Sequence, residues 1–270
     1  MKLEIFAAEC RSSLQRHEIR KFRVETAPFY AEQMKRSLCS SKSSIMEAFD
    51  DFVENWNKKW HSLVSPQAGV VFWNKEELSK DFFNHFSENG IRERLLEQCE
   101  SGCAAVWSIG GSLEEAAEEE ASKSAVQAML LDVAGTLCLG IIRKAIQNYV
   151  AREFCAESGS SILGEYIPDS RSASDSEAQE PDGRLTMITE PWLSLRENER
   201  PAFSVNRYGV MTPLKTQCSM YFIGKAVAER PIRLNAIPCS NCRGARCLYA
   251  QFNGCHLPKD CQPWLKELGR

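Results

Sequence analysis

The sequence predicts an α+β fold, and three observations carry that expectation. Large apolar residues recur at helical spacing in two long stretches, Ser44 to Leu63 and Ala125 to Phe154. Short runs rich in β-branched and aromatic residues gather after residue 184 instead of alternating with the helices. Helices first and strands later favour segregated layers over a βαβ arrangement. At 270 residues the chain is long enough to bury roughly three quarters of the surface it would expose unfolded.

Charge and the opening residues narrow the class further. Lys+Arg 33 against Asp+Glu 36 leaves −3, so no global basic surface is available to hold nucleic acid. The start, MKLEIFAAECRSS, has only a short apolar run broken by Glu4 and Glu9, which is no signal peptide. No stretch is expected to reach the roughly eighteen apolar residues needed to cross a bilayer. The expected compartment is the cytoplasm, where thiols stay reduced. Residues 1–100 read as a helical N-terminal region, 101–235 as the α+β body, and 236–270 as a cysteine-rich tail.

Taken in order, the elements have separate justifications. Ile45, Phe49, Phe52, Val53, Trp56, Trp60 and Leu63 share one helical face, with Glu47, Asp50, Glu54, Lys58 and Lys59 elsewhere. Gly69 to Trp73 is a short apolar run that reads as a strand. A second amphipathic stretch is expected from Glu76 to Cys99, interrupted near Asn89-Gly90. In the long helix, Val126, Met129, Leu130, Val133, Leu137, Ile141, Ala145, Ile146, Tyr149 and Val150 form the apolar side. Arg143, Lys144, Gln147 and Arg152 mark the wetter one. Gly135 and Gly140 each cost up to about 1 kcal/mol relative to alanine in a helix, which points to close packing against a neighbour. Asp169 to Gly183 is acidic and serine-rich, with little to bury, and reads as a mobile loop. Leu185–Thr189, Phe203–Tyr208 and Cys218–Ile223 are expected strands.

Few motifs carry chemistry. There is no Gly-rich phosphate loop and no G-x-S-x-G elbow. His17, His61 and His85 fall in stretches read as charged or amphipathic helices, where a surface position is expected. Glu114, Glu115, Glu118, Glu119 and Glu120 form a solvated helix start, favoured by the positive end of the macrodipole. Trp107 and Trp192 read as core or cleft-wall residues. Of the twelve cysteines, Cys10, Cys39, Cys99, Cys103, Cys138, Cys155 and Cys218 are scattered among apolar neighbours and read as small buried hydrophobes. Cys239, Cys242, Cys247, Cys255 and Cys261 cluster instead. The C-x2-C pair sets two thiolates on one turn, with Cys247 and Cys255 as third and fourth ligands for zinc or an iron–sulfur cluster. His256 is an alternative fourth ligand and Cys261 looks expendable. Arg243 and Arg246 would offset thiolate charge. Free or redox-active thiols are the competing reading.

The middle of the chain resembles a known family. Cys103-Ala-Ala-Val-Trp-Ser-Ile-Gly-Gly-Ser-Leu-Glu114, then Ala128-Met-Leu-Leu-Asp-Val-Ala-Gly135, is similar to the vitamin B12-dependent methionine synthase activation domain family, closest to its stand-alone members. Met211-Thr-Pro213, Lys215 and Met220-Tyr-Phe222 match a second block of that family in order and spacing, and Cys239, Cys242 and Cys247 match a third. The resemblance covers about residues 90 to 250. It implies a C-shaped domain with a twisted antiparallel sheet and packed helices. It also implies a role in rescuing cob(II)alamin on a corrinoid partner protein, with a low-potential electron donor and S-adenosylmethionine as methyl source. The domain's part would be mainly to position the methyl group over cobalt. Gly164, Tyr166, Met211, Pro213 and Tyr221 are the cofactor-cleft candidates that carry over. The family's Arg-x-x-x-Gly-Tyr loop corresponds to Ser161–Pro168 here, which keeps the glycine and tyrosine without the arginine. Two functions are therefore expected: an accessory protein of corrinoid-dependent methyl transfer, or a metal-binding interaction or electron-relay module that has lost the ligand.

Overall fold

The computed structural model describes residues 2–9, 17–23, 43–76, 78, 98–168, 183–197, 200–225 and 232–233. Within them the fold is mixed α+β. Strands β1 (Lys2–Glu9), β2 (His17–Arg23), β3 (Gln67–Asn74), β4 (Cys99–Ser108), β5 (Ser161–Tyr166), β8 (Thr216–Gly224) and β9 (Ile232–Arg233) form one sheet. Its order is β2-β1-β3-β4-β8-β5-β9. The four central strands, β3, β4, β8 and β5, each run antiparallel to their neighbours among the four. The flanks make the whole sheet mixed, because β1 lies parallel to β3 and β9 parallel to β5. A separate ribbon pairs β6 (Ser204–Val205) with β7 (Met211–Thr212).

Four helices complete the description: α1 (Ser43–Lys58), α2 (Ser112–Ala121), α3 (Ala125–Val150) and α4 (Gly183–Leu193). Expected helix 44–63 is α1 followed by a 3-10 turn at Trp60–Leu63, its Phe49, Phe52, Trp56 and Trp60 buried, with the Phe52 ring stacked on Trp56 and tilted against Phe49 and Trp60. The N-terminal region departs from the helical expectation. Lys2–Glu9 and His17–Arg23 pair as strands, so His17 lies on a strand. Lys-Leu-Glu-Ile alternates with period two, which is strand patterning. Because β1, β2 and β3 extend the sheet that β4 continues, one sheet runs through the expected boundary at residue 100.

Strand alternation divides the core into two layers. On one face Cys103, Ala105 and Trp107 of β4 and Tyr221 and Ile223 of β8 pack under α1 and α3. On the other, Ala104, Val106, Met220 and Phe222 meet Leu185, Ile188 and Trp192 of α4. Strands covered on both sides read as continuous apolar runs, as Cys103 to Trp107 does. Trp107 and Trp192 are both core residues, one in each layer. Trp107 Nε1 donates to Leu139 O at 3.2 Å and fixes α3 on β4, while Gln127 Nε2 donates to Ala48 O at 2.7 Å and ties α3 to α1.

Two strand expectations change. Leu185–Thr189 belongs to α4: Leu185, Ile188 and Trp192 recur at i, i+3 and i+7, and burying that stripe overrides the β propensity of Ile188 and Thr189. Within Phe203–Tyr208 only Ser204 and Val205 pair, because Asn206 Oδ1 accepts from the amides of Tyr208 and Val210 and turns the chain, with Gly209 at φ +76°. Helix α3 is as expected in extent. Ser124 caps it through Gln127 N, and it runs on through a π turn at Ala151–Cys155 to a left-handed Gly159. Gly135 does pack closely, with Leu113 and Lys215 against it. Gly140 faces open space, and nothing in the structure explains it. The stretch Ala125–Cys155 is, against expectation, long and apolar enough to cross a membrane by length and composition. Ala125 to Ile142 is apolar apart from Gln127, Asp132 and Thr136, and Arg143 and Lys144 come only after it. Here Leu131, Cys138, Leu139, Ile142 and Ile146 bury themselves against the sheet instead.

Cys99, Cys103, Cys138, Cys155 and Cys218 are buried free thiols, as expected of small hydrophobes. Cys10, Cys39, the stretch around Asn89-Gly90, His85 and the loop over 169–182 lie outside the described residues.

Candidate functional site

Two polar constellations interrupt the apolar layers. The first lies where β4 ends. Gly110 turns the chain at φ +78° and α2 starts two residues later. Ile109 N and Ser108 Oγ both donate to Lys215 O, and Thr216 Oγ1 donates to Ser108 Oγ at 3.0 Å. The Glu114 carboxylate accepts from Lys215 N. Lys215 Nζ crosses to α3, 2.6 Å from Asp132 Oδ1 and 3.0 Å from Thr136 Oγ1. Pro213 packs on Gly111, where an added Cβ would stand 3.8 Å from its ring. Three blocks far apart in sequence, Ile109–Glu114, Leu130–Gly135 and Met211–Lys215, thus meet at one corner.

The second constellation is buried between α3 and the sheet. Arg143 Nε donates to Glu165 Oε1 at 2.8 Å, its Nη2 donates to Oε2, and Gln147 Nε2 donates to Oε2 at 3.3 Å. The Glu165 side chain is 2% exposed and that of Arg143 17%. In register beside Glu165 stands Tyr221, and beside Tyr221 stands Cys103, so the three share one row on the α3 face. Burial pushes the Tyr221 phenol well above its ordinary range, and the Glu165 charge adds to the shift. Burial likewise raises the Cys103 thiol. Burial alone would weaken the charge on Arg143, but Glu165 outweighs it and holds the guanidinium protonated. The result is a closed ion pair flanked by a neutral phenol and a neutral thiol, which suits fixing α3 on the sheet better than proton transfer.

The five cleft candidates do not come together. Tyr166 is opposite Met220 and lies in the α4 layer with Trp192, while Tyr221 is opposite Glu165 and lies in the α3 layer. Gly164 is buried in β5 next to a register shift. Met211 packs at the margin of the α4 layer, and Pro213 belongs to the corner beside Gly111. The reason is strand alternation: residues that read together by order fall on opposite faces of the sheet. Tyr166 and Tyr221 are both shut into the core, on opposite faces of the sheet. Among the described residues no group of three or more His, Cys, Asp or Glu side chains is placed to hold a metal. Cys239, Cys242, Cys247, Cys255, His256 and Cys261 lie outside them.

Sequence reasoning missed the Arg143–Glu165 pair and placed Arg143 and Gln147 on the wet side of the helix. Two signals were there: a lone acid in the apolar strand Ile162–Tyr166, and a donor pair at i, i+4 on the helix before it. Fold and sites together define an α+β protein with a sheet covered by helices on both faces and a polar corner at the end of β4. Comparison with protein-family models and with curated protein sequences gives no match.

Proposed function

We propose that the chain is an accessory protein of cobalamin-dependent methyl transfer, built like the methionine synthase activation domain, that docks on a corrinoid protein and supports its reductive activation. One observation supports this reading. Of the blocks that carry the resemblance, the parts around Glu114, Asp132 and Lys215 meet at one corner, with Thr136 beside them. The C-shaped form of the domain, the low-potential electron donor and a cytoplasmic setting are parts of the same proposal. So is zinc or an iron–sulfur cluster on Cys239, Cys242, Cys247 and Cys255.

A second reading is a non-enzymatic metal-binding interaction or electron-relay module without S-adenosylmethionine. The burial of Tyr166 and Tyr221 on opposite faces favours it. One experiment separates the two. A cob(II)alamin-loaded corrinoid protein is mixed with a low-potential reductant and S-adenosylmethionine, with and without the full chain, and methylcobalamin is followed by its visible spectrum. Calorimetric titration of the chain with millimolar S-adenosylmethionine runs alongside. Faster methylation supports the accessory role, and calorimetric heat decides whether the chain itself holds the methyl donor. Unchanged methylation together with no complex between the two proteins overturns it.

A further inference from the structure

We draw no further inference here: the strongest candidate, the exposed apolar surface patch that Met129 of α3 and Leu214 before β8 present beside the Lys215–Asp132 bridge, carries nothing because nothing in the structure shows what covers it.

Discussion

Replacing Arg143 with alanine strips the buried Glu165 carboxylate of both guanidinium bonds and leaves it only Gln147 among the donors described above. At 2% exposure Glu165 cannot recover its hydration by turning outward. Breaking one side of such a buried pair costs about 3–5 kcal/mol, because the carboxylate loses its closest opposite charge in a poorly polarisable interior. For a domain of this size each kcal/mol lowers the melting temperature by roughly 2–4 °C, so a fall of about 6–20 °C is expected. Arg143→Met combined with Glu165→Leu removes both charges and keeps the volume. That pair is expected to return to within about 1–2 kcal/mol of the wild type or to exceed it. Urea unfolding of the wild type, both single variants and the double variant closes a thermodynamic cycle. A coupling energy below about 0.5 kcal/mol would refute the reasoning, since it would place both side chains in water.

Four further outcomes are expected. Gly69→Ala sets a Cβ 2.7 Å from the Trp192 ring and 3.0 Å from Pro201. It should destabilise by about 1–3 kcal/mol in thermal melts, and an unchanged melt would mean the indole shifts freely. Gly140→Ala, on the open side of α3, should stabilise by roughly 0.5–1 kcal/mol in the same assay, and a loss would reveal a neighbour there. Burial raises the Cys138 thiol from 9.0 to about 12. The unfolded chain therefore loses that proton first, so the stability it contributes is full below about pH 9 and declines toward pH 12. Cys138→Ala should flatten this alkaline slope in urea titrations, and an identical slope would exclude the residue as a source. Glu114→Ala removes the acceptor for Lys215 N and should cost about 1–3 kcal/mol, with faster amide exchange at Lys215 as its signature. Unaltered exchange would show that the carboxylate does not hold that turn.

What the sequence revealed depended on the period each segment displayed. The stripe from Phe49 to Trp60 and the long run of α3 repeat over several turns, so their helices and inner faces were readable directly. Gly69 to Trp73 and Cys218 to Ile223 were readable as strands, being covered on both faces and so apolar throughout. Ile188 and Thr189 misled because their strand preference is local, whereas the helix they join is decided by what Leu185 and Trp192 pack against. Lys2 to Ile5 alternates, but Phe6-Ala-Ala-Glu9 breaks the period, so the strand pattern there is too short to stand out. The cleft candidates are spread over both faces for a related reason. Motif order preserves which residues are near in the chain, but the step from Met220 to Tyr221 crosses the sheet. Neither Glu165 nor Arg143 announces its partner, since pairing at a distance of 22 residues is set by how α3 lies on β5.

The position of β8 has a consequence for how the chain is made. β8 lies between β4 and β5, although both precede it in the sequence. A ribosome therefore releases α3, apolar enough to enter a bilayer, well before the strand that completes the surface beneath it. Until residue 224 has emerged, β4 and β5 each lack the partner between them, and α3 rests on a surface one strand short. Chaperone engagement would then matter most over this interval of synthesis, and late-arriving β8 acts as the keystone that converts a sticky nascent segment into a closed interior.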